Sequence, residues 1–219
     1  MSKQLEKMGE FFDARLEDYE EHQLTTIDNA QEFYPLTAAY LPKAPGTRVL
    51  DLGCGTGLEL NHYFALNPAA QVTGIDLAPG MLKCLREKFP GKCLDLRLGS
   101  YFDLPFEEDH YDAAVSVESL HHFTQAEKIP LYKKLHKALK TDGVFILTDY
   151  FSLSDEEETF HRAELIRIKA EQGIADNEFY HYDTQLIVAH EVEALKAAGF
   201  SSVEVLHAWG ATHLIQAVR

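Results

Sequence analysis

The sequence predicts an α/β fold in which a mostly parallel sheet carries helices on both faces and a helical cap precedes it. Two observations lead there. From residue 48 onward, short apolar runs alternate with stretches of helical periodicity, and strands alternating with helices specify a parallel sheet. Before residue 42 there is no strand-like run, only apolar residues at three- and four-residue spacing. The chain has 219 residues, 46% of them hydrophobic and 25% charged, enough to bury one full core and unlike a disordered or fibrous composition.

The elements follow in order. Leu5, Met8, Phe11, Phe12, Leu16 and Tyr19 share one helical stripe, and Phe33, Tyr34, Leu36 and Tyr40 share another that ends at Pro42. Pro42-Lys43-Ala44-Pro45-Gly46 breaks that pattern. Five strands are then expected: Arg48 to Asp51, Gln71 to Asp76, Cys93 to Leu98, Tyr111 to Val117, and Gly143 to Thr148. Helices fill the gaps at Leu58 to Leu66, Pro79 to Phe89 and Gln125 to Leu139. Asp155-Glu156-Glu157-Glu158 opens a long helix running to about Gln172, its acids suiting the first turn. Ala189 to Ala198 is a further helix stopped by Gly199. Strands at Val203 to Leu206 and Thr212 to Val218 are joined by too few residues for a helical crossover, so they form an antiparallel hairpin at the sheet edge. The expected organisation is one domain spanning 1–219, with a cap or lid at 1–44, a cofactor-binding core at 45–150, and acceptor-side helices plus hairpin at 151–219.

Charge narrows the function. Twenty Lys and Arg against thirty-five Asp and Glu leave a net charge of −15, which repels phosphate backbones and anionic lipid. Neither a nucleic acid nor a membrane is an expected partner. Cys54, Cys84 and Cys93 form no C-x-x-C pair, the N-terminus lacks an apolar signal core, and no run of eighteen apolar residues occurs. A cytoplasmic location is expected.

The segment Asp51-Leu52-Gly53-Cys54-Gly55-Thr56-Gly57 carries the chemistry. A single glycine serves a strand-to-helix turn, whereas three at alternate positions let a ligand approach where a Cβ would clash. The dinucleotide pattern G-x-G-x-x-G fails in both frames, because Leu58 and Leu60 stand where the third glycine belongs. The pattern resembles motif I, D-x-G-x-G-x-G, of the class I methyltransferases that use S-adenosylmethionine (AdoMet), and the resemblance spans about residues 49–219. It implies a Rossmann-like, doubly wound, seven-stranded sheet of order 3-2-1-4-5-7-6 with the last strand antiparallel. It also implies that Asp51, Gly53, Cys54, Gly55 and Gly57 surround AdoMet, whose amino and sulfonium groups are complementary to a carboxylate. Asp76 would hold the ribose hydroxyls, Leu77 and Met81 would line the adenine, and Ser100 with Tyr101 would hold its edge. Val117 and Glu118 would pass the methionine part. As alternatives, Asp76 serves as a helix cap and the segment from Gly99 to Phe106 as a loop of buried aromatics.

The acceptor side follows the fourth strand, at Glu118-Ser119-Leu120-His121-His122-Phe123. No Asn/Asp-Pro-Pro-aromatic segment of the kind found in base and amide-nitrogen methyltransferases occurs there. That absence, together with the acidic charge, favours a small-molecule acceptor, and the match is close to the broad methyltransferase group related to ubiquinone biosynthesis, whose acceptors vary widely. A base is needed only where the acceptor must lose a proton, and His122, then His121, is the candidate, against a packing role for both. Tyr19, Tyr34 and Tyr150 are expected to line the lid and acceptor pocket, and Phe179 to Asp183 a further wall. No metal is expected. His190-Glu191-Val192-Glu193-Ala194 lacks the second histidine of H-E-x-x-H, His181-Tyr182-Asp183 has the H-x-D spacing of a facial triad but nothing around it reads as a β-barrel, and adjacent histidines on a helix diverge.

The reading is an AdoMet-dependent methyltransferase acting on a small molecule. Its rivals are a catalytically silent AdoMet-binding regulator and a nicotinamide oxidoreductase. Calorimetry separates the last: AdoMet and S-adenosylhomocysteine are expected to bind at micromolar concentration, and tight binding of NADH alone would overturn the cofactor assignment.

Overall fold

The computed structural model describes residues 4–175 and 178–219. Seven strands form one sheet in the order β3-β2-β1-β4-β5-β7-β6. They are β1 (Arg48–Leu52), β2 (Gln71–Asp76), β3 (Cys93–Leu98), β4 (Tyr111–Val117), β5 (Leu139–Tyr150), β6 (Ser202–Trp209) and β7 (Thr212–Val218). The first five run parallel, and β7 lies antiparallel to both β5 and β6.

Burial explains the apolar runs. Val49, Leu50 and Leu52 are fully buried because both faces of a central parallel strand are covered. Leu50 and Leu52 face a core completed by Tyr132 and Leu135 of α6 (Gln125–Ala138) and Leu195 of α8 (Val188–Ala198). Val49 faces the other way, toward Phe33 and Ala38 of α3 (Ala30–Tyr40) and Leu60 and Tyr63 of α4 (Leu58–Leu66). The period-two alternation thus separates two cores, one on each side of the sheet. On the side of the second core lies α5 (Pro79–Lys88), and α7 (Asp155–Gln172) precedes α8.

Three boundaries differ from the sequence reading. The first apolar stripe is broken into α1 (Met8–Asp13) and α2 (Tyr19–Thr26), and α1 is anchored from outside, where Met8 N donates to Phe179 O at 3.1 Å. Strand β5 begins at Leu139, four residues before Gly143, because a register shift lets Leu139 pair with Tyr111 before the chain loops back through Asp142, whose φ is 61°. Strand β6 runs on to Trp209, which pairs with Thr212. Residues Ala208 and Trp209, expected in the connection, are therefore ladder residues, and a two-residue turn at Gly210-Ala211 with φ 60° at Gly210 suffices.

A buried ion pair ties α6 to α8. Lys128 Nζ lies 2.5 Å from Glu191 Oε2, both side chains are almost wholly buried, and the Tyr132 hydroxyl donates to the same carboxylate. Breaking one side of such a pair leaves an uncompensated buried charge. Glu191→Ala is expected to lower stability by about 3–5 kcal/mol in urea unfolding, and Lys128→Met with Glu191→Leu to recover most of it. A loss no larger than that of an exposed pair would show that water reaches Lys128.

Candidate active site

The carboxyl ends of the parallel strands meet along one crevice, and open α/β sheets bind ligands there. Here β1 delivers Gly53 and Gly55, β2 delivers Asp76, β4 delivers Glu118, and β5 delivers Asp149 and Tyr150. A first cavity is lined by Gly53, Gly55, Asp76, Leu77, Met81, Tyr101, Val117 and Glu118, together with Met8, Phe12 and Tyr19 of the cap.

The glycine loop owes its shape to two contacts. Gly53, Gly55 and Gly57 have φ of 74°, 49° and 72°, a region open chiefly to glycine. A Cβ on Gly53 would also run into the Ser119 hydroxyl. Asp76 then fastens the loop, its Oδ2 accepting from Gly55 N and its Oδ1 from Ala78 N, each at 2.8 Å. It therefore braces the loop and the turn before α5, whose N-cap Ala78 takes no side-chain cap bond, and keeps further lone pairs for a ligand.

Not every expected cofactor residue lines this cavity. Cys54 packs its sulfur against Gly74 of β2, where a Cβ would lie 2.8 Å away. Gly57 forms the turn into α4. The Ser100 hydroxyl accepts from Phe102 N at 3.1 Å and shapes its own loop. Asp51 lies fully buried behind the loop beside Glu59, and burial, with Glu59's charge adding to it, pushes its carboxyl well above the usual range. Asp51 Oδ2, Thr56 Oγ1, Glu59 Oε1 and Glu118 Oε1 are buried without a hydrogen-bond partner. Asp51 and Glu59 bond each other behind the loop, while Asp76 and the unpartnered Glu118 Oε1 face the cavity, a wall that fits a ligand carrying an ammonium and a sulfonium.

A second cavity of about 530 Å³ opens beside the first. Phe12, Tyr19, Glu118 and His122 line both. The second is completed by Phe11, Arg15, His22, His121, Tyr150, His181 and Asp183, among others. Tyr34 lines neither; it is buried in the core against Phe33, with ring centroids 4.8 Å apart. Glu118 holds a positive φ of 50° at the end of β4, a backbone strain that functional sites commonly store. Burial, with Asp149's charge adding to it, pushes its carboxyl up to about 8.

The histidines sit on a 3-10 turn, Leu120–His122, that follows β4. Their rings do not diverge, since the centroids are 3.9 Å apart. His121 Nδ1 lies 2.6 Å from Asp149 Oδ1, and Asp149 Oδ2 accepts from Leu120 N and His121 N. Burial lowers the basicity of His121, but the charges of Asp149 and Asp183 outweigh it and raise its pKa. His122 is lowered, by burial and by its neighbour His121. Sequence reasoning missed Asp149, Met8 and Phe12, whose roles come from elements far apart in the chain. It had marked Asp183 within the Phe179 to Asp183 wall. Of the rejected metal motif, Glu191 is spent on Lys128 and His190 Nδ1 lies 2.9 Å from Glu158 Oε2.

Comparison with known proteins agrees with this geometry. Residues 49–143 match the family model described as a methyltransferase domain. These residues are an AdoMet-dependent methyltransferase domain. Over 174 residues the chain is 27% identical to the carboxy-S-adenosyl-L-methionine synthase of Campylobacter fetus, covering 76% of this chain and 74% of that one. It is 30% identical over 128 residues to a tRNA (carboxymethyluridine(34)-5-O)-methyltransferase of Arabidopsis thaliana, covering 58% of this chain but only 29% of that protein. A candidate O-methyltransferase of Nostoc punctiforme shares the fold at a TM-score of 0.72 and 20% identity, over all of this chain and 63% of its own. The methyltransferase domain therefore holds β1 to β4, the glycine loop, Asp76 and the histidine turn, whereas α1 to α3 and the elements from α7 onward lie outside the matched segment.

Two substitutions test the cofactor crevice. Asp76→Ala is expected to weaken AdoMet binding by about 1.5–3 kcal/mol, roughly 10- to 150-fold in calorimetry, and unchanged affinity would leave Asp76 as a brace of the glycine loop alone. Gly53→Ala is expected to abolish measurable binding, with partial rescue by Ser119→Gly, which removes the clash but not the backbone strain.

Proposed function

We propose that the chain transfers the methyl group of AdoMet to a small molecule bound in the second cavity. The observation that carries this reading is the junction of the two cavities at Phe12, Tyr19, Glu118 and His122. Bound in the first cavity, AdoMet supplies a methyl group made electrophilic by sulfonium. The chain's own part is to hold the acceptor in line with it and to exclude water. His121 and His122 face the acceptor, and an acceptor hydroxyl that must lose its proton loses it there.

The cap is the lid in this reading. Gly9 of α1 lies so close to Leu77 that a Cβ would stand 2.9 Å from its carbonyl oxygen, and Asp13 Oδ1 accepts from Gly80 N at the start of α5. Helix α1 thus lies across the cofactor crevice, whose free volume beneath it is only about 50 Å³. AdoMet enters by displacing α1. The remaining cofactor contacts assigned from the resemblance, at Asp51, Cys54, Gly57 and Ser100, act by shaping the loop and its charge rather than by touching the ligand.

A small acceptor is supported by the net charge of −15, which disfavours a polyanion, and by a cavity walled with aromatic rings. The resemblance to the ubiquinone-related group, with its varied small acceptors, supports the same reading. The tRNA relative names the alternative. Incubation with methyl-labelled AdoMet and, separately, a panel of small hydroxyl and amine compounds or total tRNA decides between them. Label in small compounds is expected. Label in tRNA alone overturns the acceptor class, and AdoMet binding without label in either pool favours the silent regulator. With a competent acceptor, His122→Ala is expected to keep AdoMet affinity and lower kcat about 10²-fold, the cost of misplacing a reactant by an ångström. A wild-type kcat would make His122 a packing residue.

A further inference from the structure

Three polar side chains converge on one point of the acceptor cavity. Asp183 Oδ1 lies 3.1 Å from His122 Nδ1 and 3.7 Å from His121 Nε2. The oxygen is buried, and the Asp183 carboxylate takes hydrogen bonds from His122 and from the Tyr150 hydroxyl. The Tyr182 carbonyl oxygen is 3.2 Å from His122 Nδ1. One ligand atom from each of His121, His122 and Asp183 lies within 4.8 Å of the others. Bonds of about 2.1 Å to nitrogen and oxygen place neighbouring ligand atoms roughly 3.0–3.6 Å apart for angles between square and trigonal; the 3.1 Å separation falls in that range and the 3.7 Å one just beyond it.

The surrounding shell fits the same purpose. Asp149 is saturated: Oδ1 faces His121 Nδ1 and accepts from Tyr150 N at 3.0 Å, and Oδ2 accepts two backbone N–H bonds. With its Nδ1 proton directed at Asp149, His121 presents the lone pair of Nε2. A carboxylate that fixes tautomer and ring orientation in this way is the usual support of a metal-ligating histidine. In the metal-free protein His122 Nδ1 donates to the Tyr182 carbonyl oxygen; with the proton moved to Nε2, Nδ1, that carbonyl and Asp183 Oδ1 all present lone pairs to the same point. A second set, Glu118, His121 and Asp149, also lies within reach of an ion, but it requires Asp149 to give up these donors.

We infer that His121, His122 and Asp183 form a site for a divalent transition-metal ion, with the Tyr182 carbonyl as a further donor and open positions facing the acceptor cavity. Two imidazoles and one carboxylate suit the Mn²⁺ to Zn²⁺ series rather than Ca²⁺ or Mg²⁺. The inference deepens the acceptor reading above. An acceptor hydroxyl would complete the coordination and be acidified by the ion, so the histidines would act as ligands; its proton would pass to water in the open cavity, and the oxygen would take the methyl group as the methyl–sulfonium bond breaks and S-adenosylhomocysteine is left.

Chelator-treated full-length protein titrated with Co²⁺ tests this without AdoMet or acceptor. One saturable site is expected, with visible d–d absorption that shows nitrogen ligation. Asp183→Asn, at a side chain open enough to tolerate the change, and His122→Ala are each expected to weaken binding at least tenfold. Asp149→Asn is expected to weaken it about 10–100-fold through the ring it holds, while His161→Ala on the surface of α7 leaves it unchanged. Circular dichroism checks that each variant is folded, and calorimetry with AdoMet reads the cofactor crevice independently, so failure of the metal site and failure of the methyltransferase reading are told apart. No saturable Co²⁺ site, or a site indifferent to both Asp183→Asn and His122→Ala in folded protein, overturns the inference.

Discussion

The second cavity of this molecule hangs on Asp149, a buried carboxylate at the end of β5 that accepts backbone hydrogen bonds from Leu120, His121 and Tyr150 and faces His121 Nδ1. Burial alone pushes such a group up, yet the charge and hydrogen bond of His121 outweigh it and leave the carboxyl below its usual range. A buried charge persists only where donors surround it. By meeting that requirement, the chain locks the turn after β4 onto the end of β5. The two histidine rings, the strained Glu118 and the floor of both cavities are thereby held in one arrangement.

The cofactor side works by a different logic, with several acids crowded together out of water. Asp51, Glu59, Asp76 and Glu118 are all held above their usual range, each chiefly by burial. A crevice of this kind costs stability when empty and gains it when a cationic ligand arrives. The same surroundings raise the Tyr19 hydroxyl, through burial and then the charges of Asp76 and Glu59, so Tyr19 stays a neutral donor between the two cavities.

The cap belongs to the site as much as to the scaffold. Helix α3 is a core layer, with Phe33 and Tyr34 buried against the sheet, whereas α1 and α2 contribute Phe12 and Tyr19 to the cavity walls. The stretch before α8 closes the other side. His181 stacks on Phe11 with centroids 3.5 Å apart, and His181 N donates to Glu6 O at 3.0 Å. The second cavity is thus walled by the cap, the histidine turn and the stretch before α8, and the first and last of these bond directly to each other. Among the described residues no helix is long and apolar enough to cross a membrane.

What the sequence determined by itself was local. Alternating periods placed the strands and helices, because burial on two faces leaves continuous apolar runs and burial on one face leaves a stripe. The glycines after β1 marked a close approach, because few other residues accept φ near 70°. The strand order came from family resemblance, and the sheet agrees with it. Boundaries at β5 and β6 escaped, since pairing across a register shift or a two-residue turn depends on the partner strand rather than on the segment's own residues. Tertiary structure alone decided the acceptor side. Asp149, Asp183 and the histidine pair are separated by up to 62 residues, from 121 to 183, and carry no shared spacing. Their convergence follows from parallel strands ending at one edge, and only the hydrogen bonds of a buried carboxylate fix which way His121 points.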